Sequence, residues 1–427
     1  MSEYLTRHTD IIAPVIAFDT PIVAEKAEGL WITDKDGNRW ADFACGTAVT
    51  NLGHRHPAVV EAAHAQIDSL IHSGCVVHYE SIVHAAERLA DVAPDGINKF
   101  GFANSGAEAV EAAVKLARYH TGRQGVITFR GSFHGRTMGA VSYTTSNAKY
   151  RDGYHPVLGS TFVVPFPHPY RWGLTEDEAV DYCLNELALL FKHVVTPKNI
   201  GAMLIEPVQG EGGYYPAPAR FLEELRTVCD EHGIMLVFDE VQTGFGRTAE
   251  WFAADHYSVK PDIIALGKGI ANGFPLSAYG APADIMNDWP VGAHGTTFGG
   301  NPVSCAASVA VLDTMGDLLP HARELSKRAF ERLEDMAERH PTIGDVRGLG
   351  LMIGVELVSD AENRTQSAEA FRHVHEYCLE RELIVIECGP DGNVIRFIPP
   401  LITTADELDW ALGLIDEALT DWESKRT

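Results

Sequence analysis

Two apolar runs that each deliver one charged residue to their end constrain this chain more than any other feature. Met235-Leu236-Val237-Phe238 stops at Asp239, and Ile263-Ile264-Ala265-Leu266 stops at Gly267-Lys268-Gly269. Short, wholly apolar runs of this kind read as strands buried on both faces, as in parallel sheets covered by helices. A carboxylate or an amine at the end of such a strand is drawn out of water, which is unfavourable unless the group is paired. The pattern recurs through the middle of the chain. Lys99–Ala103, Gly125–Phe129, Thr161–Val164, Ala202–Ile205 and Ser277–Gly280 are further candidate strands, with amphipathic helices such as Ala107–Tyr119 and Arg220–His232 between them. The alternation predicts an α/β chain with a mostly parallel, seven-stranded central sheet and helices on both faces.

The two ends read differently. Gly29–Ala44 carries the turn Asp36-Gly37-Asn38 between alternating runs, a hairpin signal. A helix is expected after the loop ending at Pro302, and another from about Pro320 to Arg339. Two β-rich runs follow, Leu351–Leu357 and Leu383–Ile386. A third, Val394–Ile398, precedes a helix from Thr404 to about Asp421. These predict a small α+β domain made from both termini, residues 1–55 and 316–427, around a large domain of residues 56–315. A length of 427 residues suffices for two cores.

The formal net charge of −25 disfavours nucleic acid and anionic membranes as partners. Anionic substrates would then need isolated arginines beside the chemistry. Seven cysteines without a CxxC pair fit reduced thiols better than disulfides or zinc. His54 and His56, and His373 and His375, have no cysteine or carboxylate cluster at ligand spacing, so no metal is expected. No run approaches the roughly 20 uninterrupted apolar residues of a membrane helix. Residues 1–10 are polar and lack the basic start of a signal peptide, so a cytoplasmic location is expected.

Ligands of open parallel sheets sit at the carboxyl ends of strands. After the first strand, Asn104-Ser105-Gly106-Ala107-Glu108 opens a helix, and the amides of Gly106 and Ala107 suit a phosphate. An ordinary strand-to-helix turn has the same appearance. Neither a Walker A pattern nor a GxGxxG is present there. The second strand runs into Gly131-Ser132-Phe133-His134-Gly135-Arg136, an aromatic beside a histidine that could stack on a flat ring, although Phe133 also reads as core. Glu206 and Glu211 follow the apolar run Met203-Leu204-Ile205 in a glycine-rich stretch. Asp239 needs a cationic partner: a pyridinium nitrogen would serve, as would a salt bridge or a helix cap. Lys268 between glycines is desolvated, which lowers its pKa and favours a nucleophilic amine over a surface lysine. His294–Pro302 is a polar loop with hydroxyls to offer a phosphate. No metal, nucleotide or hydrolase reading accounts for all of these in this order.

From Gly29 to the C-terminal helix the chain resembles the class III, ω-amino-acid aminotransferases of pyridoxal-phosphate (PLP) fold type I, nearest their 4-aminobutyrate:2-oxoglutarate branch. The resemblance implies PLP as cofactor, carried by Lys268 as a Schiff base, with Asp239 on its ring nitrogen. Gly106 and Ala107 match the phosphate cradle, Phe133 and Val241 the residues on the two ring faces, and Gln242 the partner of the phenolic oxygen. His134 and Glu206 join this cofactor-binding set. Thr297 matches a phosphate ligand reaching in from a neighbouring subunit, which implies a homodimer with shared active sites, or a tetramer. On the substrate side Arg136 matches the arginine for the distal carboxylate and Arg396 the arginine for the α-carboxylate. Glu211 matches the carboxylate that pairs with Arg396 while an ω-amino acid is bound. The implied reaction moves the amino group of an ω-amino acid, 4-aminobutyrate first, to 2-oxoglutarate by a ping-pong mechanism. Pyruvate-dependent, ornithine-type and racemase or epimerase relatives are the alternatives. Thr47 stands where a branched apolar residue is usual and Cys45 where glycine is common, and both are expected at the pocket wall.

Overall fold

The computed structural model describes residues 2–426. Residues 1 and 427, the outer ends of the two terminal segments, lie outside the described residues. The seven expected strands form one sheet: β1 (Lys99–Ala103), β2 (Gly125–Phe129), β3 (Thr161–Val164), β4 (Ile200–Ile205), β5 (Met235–Asp239), β6 (Ile263–Leu266) and β7 (Ser277–Ala281). Their spatial order is β1-β7-β6-β5-β4-β2-β3, with β7 antiparallel to both neighbours and the other pairings parallel. Strands β4 and β6 are buried along their whole length, as their unbroken apolar sequences require.

The first helix over this sheet, α1 (Gly106–Thr121), starts where its sequence provides caps. Ser105 accepts from the Glu108 amide, Glu108 accepts from the Ser105 amide, and Gly122 ends the helix at φ 68°. Its alanine-rich face packs on β4, β6 and β7. Pro302–Arg339 is one continuous helix, α2, with Pro320 inside it. The sequence reading breaks this stretch near Pro320 and puts a domain boundary at 315/316, inside what is one helix. Pro320 reads as a helix start because proline suits a first turn. Here the burial of Val311, Leu312, Met315, Leu319 and Ala322 on one face carries the helix through it. Among the described residues this is also the one helix long and apolar enough to cross a membrane. Over half of its apolar window is buried inside the protein, so it is a core helix.

The small α+β part draws on both ends of the chain. The hairpin Trp31–Asp34 and Arg39–Asp42 turns through Gly37 at φ 87°, with Asp34 accepting from the amides of Asp36 and Asn38. Leu383–Ile384 then pairs in parallel with Arg39–Asp42. A second sheet joins Ile343–Leu349, Met352–Asp360, Val394–Phe397 and Ile386–Cys388. Its first strand has no counterpart in the sequence reading, because Gly344, Asp345 and Gly348 interrupt any alternation.

Candidate active site

Strand register decides what meets at the carboxyl edge of the central sheet. Phe238 pairs with Ile205, and Asp239 with Ala265. Glu206 therefore emerges beside Asp239 on one side, and Lys268 just past Ala265 on the other. The buried Asp239 carboxylate holds His134 Nδ1 at 2.7 Å and accepts from the Val241 amide at 3.0 Å. Glu206 accepts from the amides of Phe133 (2.8 Å) and Gly210 (3.0 Å), tying the two loops that follow β2 and β4. Burial pushes the Glu206 pKa up; His134 opposes this and Asp239 adds to it.

Lys268 has φ 44°, a left-handed backbone that is strained for a residue with a side chain. Its amine is lowered to a pKa of about 8, first by burial and then by the charge of Arg396, against the opposing pull of Glu211, Asp239 and Glu206. Around it the backbone comes very close. A Cβ on Gly106 would lie 2.6 Å from Val241 Cγ1, and one on Gly135 would lie 2.6 Å from Ala107 Cβ. The N-terminus of α1, with the orphan amides of Gly106 and Ala107, thus abuts both Val241 and the Phe133–Arg136 loop. Gln242 accepts from the Tyr214 hydroxyl at 2.8 Å.

Two arginines join this group through Glu211 and Tyr150. Arg396 arrives from the C-terminal sheet, its side chain only 5% exposed, and meets Glu211 Oε2 at 2.5 Å. Burial alone would raise the Glu211 pKa, but the Arg396 guanidinium and the Tyr150 hydroxyl hold it below the usual carboxylate value. Arg136 is exposed and lies over the rings of Tyr150 (4.9 Å) and Phe133 (5.3 Å). Contacts and charge interactions thus link Lys268, Asp239, His134 and Glu206 to Glu211 and Arg396, and Glu211 through Tyr150 to Arg136, while Gly106 abuts Val241.

Two residues stand apart in the single chain. Thr297 is exposed on the loop before α2, and Thr47 is exposed on a turn where Cys45, Gly46, Thr47 and Ala48 all have positive φ. Cys45, on the same turn, is fully buried, with its thiol 3.3 Å from Arg247. The sequence reading assigned no role to Tyr150, Tyr214 or Arg247.

The Aminotransferase class-III family model matches residues 14–419. The chain is a class III aminotransferase. A 4-aminobutyrate aminotransferase of Escherichia coli is 38% identical over 424 residues, 98% of this chain and 98% of its own length. An alanine/serine racemase of Pyrococcus horikoshii is 38% identical over 411 residues, 94% of this chain and 86% of its own. Among solved structures, an amine transaminase from an uncultivated Pseudomonas species in PLP-bound form is similar at a TM-score of 0.89. It is 32% identical, covering 96% of this chain and 98% of its own. The cofactor of this class III aminotransferase is PLP. The site fits it on its own terms: a buried carboxylate with lone pairs to spare, a buried amine of lowered pKa, and a helix N-terminus at Gly106 where a Cβ would clash with Val241.

Proposed function

We propose that this class III aminotransferase moves the amino group of an ω-amino acid, 4-aminobutyrate first, to 2-oxoglutarate in two half-reactions at one site. The observation that carries this reading is the Glu211–Arg396 pair, set beside a separately held Arg136. Arg136 takes the distal carboxylate that 4-aminobutyrate and glutamate share. Arg396 takes the α-carboxylate of glutamate or 2-oxoglutarate, and Glu211 neutralises it when the donor has none. One pocket thereby serves both substrates.

PLP, when bound, supplies the electron sink for the carbanion. Asp239, held by His134 and the Val241 amide, keeps the ring nitrogen protonated. Lys268 carries the cofactor. Freed from the cofactor, the Lys268 Nζ would take the proton from the substrate carbon that bears the amine, a task matched by a pKa of about 8. Gly106 and Ala107 would hold the cofactor's phosphate through backbone amides, and Phe133 and Val241 would pack against its ring.

We read the assembly as a homodimer whose Thr297 completes the neighbouring site. Phe298 beside Thr297 is exposed, touches His72, and is joined by exposed Ile71, Val76 and Val77, an apolar surface suited to a second copy. Hybrids of Lys268→Ala and Thr297→Ala subunits should regain activity that neither parent shows; no regain would refute shared sites. Seven free thiols, six of them buried, support a reducing, cytoplasmic setting.

The test of the reaction is the acceptor. Turnover of 4-aminobutyrate should require 2-oxoglutarate and yield glutamate. Equal turnover with pyruvate would point to a pyruvate-dependent enzyme. Inversion of an amino acid with no acceptor would point to a racemase.

A further inference from the structure

The two arginines of the pocket are joined by a side chain that has no role in the reaction so far. Tyr150 ends a short turn, Ala148–Tyr150, in the irregular segment after β2. Its hydroxyl donates to Glu211 Oε1 at 2.8 Å, while the other oxygen of Glu211 holds Arg396 at 2.5 Å. Its ring stands edge-on to Phe133, with centroids 5.4 Å apart, and lies 4.9 Å under the Arg136 guanidinium. One phenol therefore touches the α-carboxylate machinery through its hydroxyl and the distal-carboxylate machinery through its ring.

We propose that Tyr150 is a positioning residue that latches Glu211 onto Arg396, biasing the pocket toward donors without an α-carboxylate, and that it also orients Arg136, chiefly through its ring. This rests on the reading of Glu211–Arg396 as the substrate switch. For glutamate to reach Arg396, Glu211 must leave, and it must then break the bond from Tyr150 as well as the ion pair. A hydrogen bond to a charged acceptor in a half-buried site favours the closed arrangement by about tenfold. Burial, and the nearby charge of Glu211, raise the Tyr150 pKa, so the hydroxyl remains a donor at neutral pH.

Tyr150→Phe keeps the ring and removes the latch. In the holoenzyme it should lower the ratio of kcat/KM for 4-aminobutyrate to that for glutamate about tenfold. It should also tighten glutarate, a dicarboxylate without an amine, by a similar factor in calorimetric titration, because glutarate needs Arg396 free. Tyr150→Leu removes the ring as well and should raise KM for both substrates by clearly more than Tyr150→Phe does. Glu211→Ala is the control for the underlying switch. If Glu211→Ala shifts the substrate ratio and Tyr150→Phe shifts neither the ratio nor glutarate binding, the latch is wrong and the switch stands. If Glu211→Ala leaves the ratio unmoved, the switch itself fails. A Tyr150→Phe enzyme that comes to favour 4-aminobutyrate, or one whose ratio falls while that of Glu211→Ala does not, overturns the latch.

Discussion

Removing the Glu211 carboxylate should separate the two half-reactions. In the resting pocket Arg396 is 5% exposed, and Glu211 is the carboxylate that meets it, at 2.5 Å. Breaking a fully buried ion pair by deleting one partner destabilises by about 3–5 kcal/mol, because the remaining charge is left without compensation. Glu211 itself is 28% exposed, so water recovers part of that loss. An effect of about 2–3 kcal/mol is the reasonable scale, which is roughly 30- to 150-fold in an equilibrium or a rate. The penalty falls on whichever complex leaves Arg396 unpaired. With 4-aminobutyrate bound nothing replaces the lost carboxylate, and the ligand seals the site over a bare guanidinium. With glutamate bound the α-carboxylate takes the place of Glu211 and no longer has to displace it. Glu211→Ala should therefore cut kcat/KM for the 4-aminobutyrate half-reaction about 100-fold while leaving that for glutamate unchanged or improved. Stopped-flow half-reactions, followed through the change in cofactor absorbance, read each arm separately. Equal losses on both arms would refute the reasoning, since they would show Glu211 supporting the fold of the pocket and not the neutrality of Arg396.

Three further outcomes follow from the same geometry. Lys268→Ala should abolish the visible absorbance of lysine-bound cofactor and nearly all turnover. In the native chain stripped of cofactor, PLP uptake should accelerate as pH rises and level off above about 8, where the amine is unprotonated; an inflection near the ordinary lysine value would contradict the desolvation argument. Arg136→Ala should raise KM for 4-aminobutyrate and glutamate together, by about 30-fold as expected for a charge-assisted carboxylate contact, and a loss confined to one substrate would disprove a shared subsite. Arg247 is fully buried and donates to the Leu351 and Pro399 carbonyls and to Asn51 Oδ1. Arg247→Ala should therefore destabilise the protein by about 3 kcal/mol, measurable by denaturant titration, and an unchanged midpoint would show that water replaces those bonds freely.

The parts of this protein legible in its sequence share one physical cause. A strand buried on both faces must be apolar throughout, so β4, β5 and β6 announce themselves, and a charge at the end of such a run has to be explained. That is why Asp239 and Lys268 stood out, and why their meeting followed from parallel pairing alone. Other residues gave no such signal. Tyr150 sits in an irregular turn, with no periodicity to mark which way it faces. Arg247 lies in a glycine-rich stretch where an arginine looks solvent-directed; its burial depends on carbonyls about 100 and 150 residues away in sequence, at Leu351 and Pro399. The turn at Cys45 gave no such signal either, since its left-handed backbone breaks any side-chain alternation. Long-range polar contacts and positive-φ turns are what a one-dimensional pattern cannot encode.

The strongly acidic chain and the anionic substrates proposed for it are reconciled at short range. With a formal charge of −25, the protein as a whole repels carboxylates. At physiological salt, however, exposed charges are screened beyond about 8 Å, whereas buried pairs are screened far less. What a substrate meets inside the cleft is therefore set by a handful of groups: Arg396 with its removable partner Glu211, Arg136 over two rings, and Lys268 with its weakened charge. A guanidinium is suited to both arginine positions because it stays charged when desolvated and can stack on aromatic faces as well as bind carboxylates. A lysine at position 396 would lose its proton more readily in the same burial, and with it the distinction between a donor that carries an α-carboxylate and one that does not. Under the proposed switch, substrate choice depends on keeping one arginine charged in a dry place while giving it a carboxylate that can leave.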